Sequence, residues 1–299
     1  MLERFCALAF WAAALGSTAA CAQENDRRHE LGIRYWLSTG ETNWNHTAGD
    51  PGLGNPTSVL TYDRLEGHSA ELYFRRYFRE TWFVRGDAGI GTIGKGSFDD
   101  EDFASGQVKF SHTRSPVQGS ALRYFTLDVG KVILQWGLQR PEAHLFVGYQ
   151  YWSERYDAYG LTDLFGNPGP GTNVPVISNE FRWSSIRAGV GGRYASGPYS
   201  FSLDFSLVPY TDLHNRDFHY ARSDLGGVPN VYMNGSGTGW QIEAAVRRAL
   251  TGNLDFGVGL RYWALQADGT INFGGSEPRR LNQFESRRGG ITATLGWRY

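Results

Sequence analysis

Apolar and polar residues alternate strictly along much of the chain. In the last segment Ile291, Ala293, Leu295, Trp297 and Tyr299 alternate with Thr292, Thr294, Gly296 and Arg298. The same reading holds for Leu254, Phe256, Val258 and Leu260 against Asp255, Gly257, Gly259 and Arg261, and for Phe201, Leu203, Phe205 and Leu207 against Ser202, Asp204 and Ser206. Trp240, Ile242, Ala244 and Val246 repeat it. A period of two predicts strands with one apolar and one polar face, and no helical amphipathic segment of useful length competes with it.

The polar faces are unusual in their charge. Arg34, Glu71, Arg75, Arg85, Asp87, Arg187, Arg193, Asp204, Glu243, Arg247, Asp255, Arg261 and Arg298 all fall there, with signs mixed. A soluble sandwich would turn such a face to water. Mixed charges opposite an apolar face with Trp and Tyr near its ends fit a barrel instead, polar inside and lipid-facing outside. Short connections are expected near Phe78 to Thr81, Trp136 to Ala143, Ala195 to Pro198 and Thr251 to Asn253. Long polar ones are expected near Asn45 to Pro56, Asp99 to Pro116, Leu161 to Val176, Asn215 to Ser236 and Ala267 to Arg287. Four turns and five loops predict an all-β, transmembrane antiparallel β-barrel of about ten strands with long extracellular loops. A ring of that size is filled largely by side chains, so bulk transport is disfavoured and function is expected in the loops.

Composition narrows this. Within 299 residues there are 29 Lys+Arg against 30 Asp+Glu, which leaves no basic excess for nucleic acid. A mean hydropathy of −0.40 excludes a polytopic helical membrane protein. The one apolar run, Phe5 to Ala20 after Arg4, ends in Ala20-Cys21-Ala22 and is expected to be a signal peptide over 1–22, leaving 23–299 as a single barrel domain. Cleavage there removes both cysteines; lipidation of Cys21 is the rival reading.

Two short constellations carry chemical spacing. Asp99-Asp100-Glu101-Asp102 stands at the top of the third strand. In extended chain, positions i and i+2 share a face, so Asp100 and Asp102 point together while Glu101 points away. Paired carboxylates suppress each other's ionisation and can grip a water. Taken alone, such a run also reads as a solvated acidic loop or a weak Ca²⁺ site. Asp217-Phe218-His219-Tyr220 stands above the seventh strand, where Asp217 can orient His219 as a base. Alone, an exposed Asp beside a loop His is common. The two motifs crown strands about four apart, and so face each other across a ring of ten.

At these residues the chain resembles the omptins, ten-stranded outer-membrane proteases. Asp100-Glu101-Asp102-Phe103 is similar to their acidic pair and Asp217-Phe218-His219-Tyr220 to their Asp-x-His-Tyr. The resemblance implies an aspartic-type endopeptidase of the bacterial outer membrane with its site facing the exterior. In it His219, oriented by Asp217, activates a water held by Asp100 and Asp102, and the water attacks a peptide carbonyl without an acyl-enzyme. It also implies polypeptide substrates and lipopolysaccharide contacts at the outward-facing Arg155 and Arg182, for which a solvated rim arginine is the competing reading. No cofactor or metal is expected, whether lipopolysaccharide is required stays open, and a monomer is expected. The chain departs from the family at Asn215, where omptins that cleave between basic residues carry an acid. Their acid near the top of the first strand corresponds to Glu41 or is replaced by Trp44, so the cleavage preference stays open.

Gly89-Ile90-Gly91-Thr92-Ile93-Gly94 fits a dinucleotide fingerprint but lies within a strand and opens no helix, so its glycines are expected to relieve crowding in the lumen. No G-x-S-x-G elbow is present. The alternatives to a peptidase are a non-enzymatic barrel acting as adhesin or structural protein, and a lipid-modifying hydrolase whose site would face the bilayer.

Overall fold

The computed structural model describes residues 29–299 apart from 49–51, 53, 80, 136–140 and 167–168. The expected signal peptide, with Cys21, lies outside the described residues. Ten long strands follow one another: β1 Glu30–Thr47, β2 Ser58–Phe78, β3 Trp82–Ala104, β4 Val108–Gln135, β5 Glu142–Tyr159, β6 Pro175–Ser196, β7 Tyr199–His219, β8 Val231–Ala249, β9 Leu254–Phe273 and β10 Arg279–Arg298. Each pairs antiparallel with the next, and β1 closes on β10 from Glu30 opposite Arg298 to Thr47 opposite Arg280. A two-residue strand, Thr162–Asp163, adds to the edge of β4 within the β5–β6 connection. The expected ring of ten is therefore present, with short turns at one end and five loops at the other.

Two thirds of the way down, the outer surface is an apolar belt. Leu31, Ile33 and Leu37 on β1, Leu72 on β2, Ile90 on β3, Leu127 and Val129 on β4 and Val258 and Leu260 on β9 are among the residues that lie exposed there. Trp82, Tyr194, Trp297 and Tyr299 border the belt on the turn side, and Tyr210 and Trp240 on the loop side. This is the surface of a membrane-spanning barrel. A tilted strand needs roughly 9–11 residues to cross a bilayer. The strands here have 18 to 28, and continue well past the belt at the loop end.

Inside, the barrel is divided. Behind the belt the lumen is ionic. Arg261 reaches Glu71 at 2.6 Å and Glu243 at 2.8 Å, Arg34 reaches Glu71 at 2.9 Å, and Arg85 bridges Asp128 and Asp204 at 2.8 and 2.7 Å. Arg187 joins Asp128 and Gln241, and Arg298 joins Asp255. The charged face read from the sequence is thus the lumen wall, around a polar cavity of about 80 Å³. Above the belt the lumen turns aromatic. Trp36, Trp44, Trp152, Trp183 and Trp263 are at most 1% exposed, and edge-to-face contacts run from Trp36 through Trp263 and Trp152 to Phe181, Phe284 and Trp183.

Trp and Tyr do stand on the outer face near the strand ends, as expected, and five further tryptophans fill the upper lumen. One expectation is corrected: the loops are shorter than expected. The region expected as a loop over Asp99 to Pro116 is strand except for 105–107, with β3 and β4 pairing up to Ala104 opposite Val108. The connections within Asn215 to Ser236 and Ala267 to Arg287 likewise shrink to the stretches after His219 and Phe273. Above a membrane the outer face of a strand carries polar residues, so the apolar-out signal ends where the lipid ends, although the backbone ladder does not. The expectation for the glycine run holds at Gly89, where a Cβ would stand 2.2 Å from the Tyr124 ring in the lumen, but not at Gly94, which is exposed with nothing nearer than 3.9 Å.

Candidate active site

β3 and β7 carry the two acidic motifs about ten residues beyond the belt, which at ~3.3 Å per residue and the usual tilt lifts them roughly 20 Å above it. A one-residue irregularity between Glu66 and Gly67 on the β2–β3 ladder resets the alternation, so that Phe98, Asp100 and Asp102 face inward while Asp99 and Glu101 face outward. The four consecutive acids are thereby sorted. Asp99 accepts from His112 at 2.9 Å and Arg114 at 2.8 Å on β4, and Glu101 pairs with Lys109. Asp100 and Asp102 keep no such cation. Asp100 accepts only a 3.3 Å hydrogen bond from Ser58 Oγ on β2. Burial, with Asp102 beside it, pushes its carboxyl up to about 7.

On the opposite wall Asp217 is fully buried and His219 keeps 13% side-chain exposure. His219 Nε2 lies 3.3 Å from Asp217 Oδ2, which leaves Nδ1 as the ring nitrogen not held by the carboxylate. The backbone of His219 is clamped by Asn230 at the start of the next strand, whose Oδ1 accepts from the His219 N–H at 2.9 Å while its Nδ2 donates to the His219 carbonyl at 3.1 Å. Asp217 Oδ1 accepts from the Phe218 N–H at 3.1 Å. Burial works to lower the imidazole pKa, but the adjacent Asp217 outweighs it, helped by Asp100 from across the lumen, and the net shift is upward. Asp100 and His219 lie within each other's electrostatic reach at the loop end of the lumen. Arg222, in the turn after β7 and held by Asp224 at 2.7 Å, extends its charge over the same group.

Arg155 and Arg182 both face outward, as their parity implied. They differ in commitment. Arg155 donates to Asp157 at 3.0 Å and its guanidinium stands 5.3 Å from the Phe218 ring centroid, so it braces the back of the motif that carries His219. Arg182 is exposed. Of the two first-strand candidates, Glu41 faces the exterior and Trp44 the lumen, where it is 1% exposed. Asn215 is buried beneath Asp217 and donates to Asn179 at 2.9 Å. Neither Asn215 nor Trp44 brings negative charge to the cleft.

Sequence reasoning missed Ser58, Asn179, Arg222 and Asn230, all of which reach the motifs from other strands or turns. Only Asn230 left a signal, as a polar residue flanking the start of a strand pattern. Among the described residues no group of three or more His, Cys, Asp or Glu side chains is placed to hold a metal ion.

No family model matches the chain, and no curated protein matches it in sequence. Its fold is similar to that of the outer membrane protease OmpT from Escherichia coli, with a TM-score of 0.72 at 13% identity over 91% of this chain and 96% of that one. Ail, the attachment invasion locus protein of Yersinia pestis, gives 0.32 at 10% identity over 90% of this chain and 98% of that one. The translocator domain of the autotransporter NalP from Neisseria meningitidis gives 0.37 at 8% over 99% and 94%. The architecture is that of an outer-membrane β-barrel.

Proposed function

We propose that the protein is an omptin-like endopeptidase of the bacterial outer membrane, with its site at the cell exterior. One observation carries this reading: an inward acidic pair on β3 and an Asp–His pair on β7 stand above the membrane belt, among aromatic side chains, with no ion pair neutralising either Asp100 or Asp102 among the described residues. His219, oriented through Nε2 by Asp217, takes the proton of a water at Nδ1. Asp100 and Asp102 fix that water from the opposite wall, and it attacks the scissile carbonyl directly. The protease whose fold the chain shares supports the same reading. The absence of negative charge at Asn215 and Trp44 points away from a requirement for basic residues at the scissile bond. Arg182, and Arg155 through its outer edge, offer guanidinium groups to lipid phosphates at the rim.

The test is cleavage of an unstructured peptide library by purified protein reconstituted with lipopolysaccharide. The parent is expected to cut without a requirement for Lys or Arg, and His219→Ala and Asp217→Ala to be inactive while keeping the folded barrel. Cleavage by both variants at the parental rate would remove the assignment.

A further inference from the structure

Tyr62 of β2 enters the lumen between the two walls of the site, and the mechanism above leaves it unused. Register sets it beside Thr42 of β1 and Phe98 of β3. Its ring packs on Phe98 with centroids 4.5 Å apart and crosses the lumen to Tyr156 of β5 at 4.9 Å. The residue has no exposed surface, and its hydroxyl has no hydrogen-bond partner. Tyr156, packed against it, is different: its hydroxyl donates to Glu154 at 2.6 Å and lies 2.9 Å from the Thr42 hydroxyl.

The acceptor side of the site is equally unfinished. Asp217 Oδ2 is buried and accepts no hydrogen bond, and His219 Nε2 beside it has no well-aligned partner. The carboxylate that acts most strongly on the Tyr62 phenol is Asp217 from the far wall, followed by Asp100 from the adjacent strand; Tyr156, packed on it, and Asp157, on the outer face of β5, act more weakly. A buried phenol donor and a buried carboxylate acceptor are thus each left unpaired in the same upper lumen, a cost that a hydrogen bond between them would remove.

We infer that Tyr62 is a positioning residue for the Asp217–His219 pair, donating its phenol O–H to Asp217 Oδ2 across the lumen. The inference rests on the hydrolytic reading of that pair. A hydrogen bond to the ionised carboxylate stabilises it and lowers its basicity. Asp217 then holds His219 in orientation without drawing its titration far above neutrality. The other groups facing His219 are Asp100 with Asp102 beside it, and Arg222 and Asp224 in the following turn. Exchange of the phenol for a phenyl ring alters none of these.

The experiment is an NMR titration of ¹³C-labelled histidine in the full-length barrel in micelles, with His219 assigned by its loss in His219→Asn. In Tyr62→Phe the His219 midpoint is expected to rise by about half a unit or more. In Tyr156→Phe, which removes a phenol already bonded to Glu154, it is expected to stay. In an Asp217→Asn background the Tyr62 substitution is expected to move it no further. Peptide hydrolysis by Tyr62→Phe should show a lower kcat, about tenfold, at unchanged KM, with the acid limb displaced in the same direction. An unmoved His219 midpoint in Tyr62→Phe, or an equal rise in Tyr156→Phe, overturns the inference. The titration reads the contact independently of turnover, so a parent that shows these shifts but cleaves nothing would overturn the hydrolytic reading alone.

Discussion

The two halves of the lumen hold charged residues in opposite ways. Behind the membrane belt nearly every charge has its counterpart: Arg261 lies between Glu71 and Glu243, and Arg85 between Asp128 and Asp204. Above the belt few charges are present and they stand among aromatic rings; Arg288 and Glu154 form a buried pair there, whereas Asp100, Asp102 and Asp217 face like charges or half-finished hydrogen bonds. Asp100 sees Asp102 and only Ser58, and Asp217 Oδ2 sees only an imidazole. A paired charge in a low dielectric is inert, whereas an unpaired one is displaced toward neutrality and becomes useful for proton transfer. The lower half holds the cylinder together, and the upper half carries the groups on which the proposed chemistry rests.

The comparison is broken most severely at the site. His219→Ala is expected to lower kcat/KM by a factor on the order of 10³ or more, measured on a quenched peptide, without changing the heat-modified gel mobility of the folded barrel. Next comes the ionic half. Arg261→Met leaves the buried Glu71 and Glu243 to share Arg34 and is expected to destabilise the barrel by about 3 kcal/mol, read as urea midpoint in lipid vesicles, while the activity of the folded fraction persists. Phe181→Ala, in the aromatic half, should cost a similar ~3 kcal/mol and lower activity as well, because its ring contacts both Tyr156 and Trp152. If Arg261→Met abolished activity in folded protein, the division of labour between the halves would be wrong.

Smaller effects sharpen it. The proposed hydrolysis needs neutral His219, whose pKa is raised above its ordinary value, so activity should fall as pH drops through an acid limb above about 6.5. Asp100 contributes to that rise. Asp100→Asn is therefore expected to move the limb to lower pH as well as to reduce kcat, and a limb that moved up would contradict the opposition of the two walls. The smallest change expected is at the rim: Arg182→Ala should raise the lipopolysaccharide concentration for half-maximal activation a few-fold, consistent with a single exposed ion pair.

The fold was legible because a barrel in lipid must alternate, and Leu254 to Arg261 or Ile291 to Tyr299 could do so in only one way. The pairing of Asp100 with Asp102, and of Asp217 with His219, was legible for the same reason, since i and i+2 share a face. Legibility ended with the belt. The extensions of β3 and β4 were hidden because Lys109, His112 and Arg114 on their outer face look like loop residues, and Trp44, Trp152 and Trp183 looked as ready for a girdle as for a lumen. Whether Glu41 or Trp44 enters the cleft depended on parity counted from a strand whose upper end the pattern did not mark.

By itself the sequence determined the closed sheet, its ten strands and which side chains share a face, because those follow from a local period and the insolubility of unpaired backbone in lipid. Only the tertiary structure decided which faces meet. Asp100 and His219 are more than a hundred residues apart, and they converge because closing β1 onto β10 sets β3 opposite β7. Tyr62 reaches Tyr156 and the field of Asp217 by the same closure. No local pattern encodes a contact made across the axis of a ring, where curvature and strand stagger set the distance.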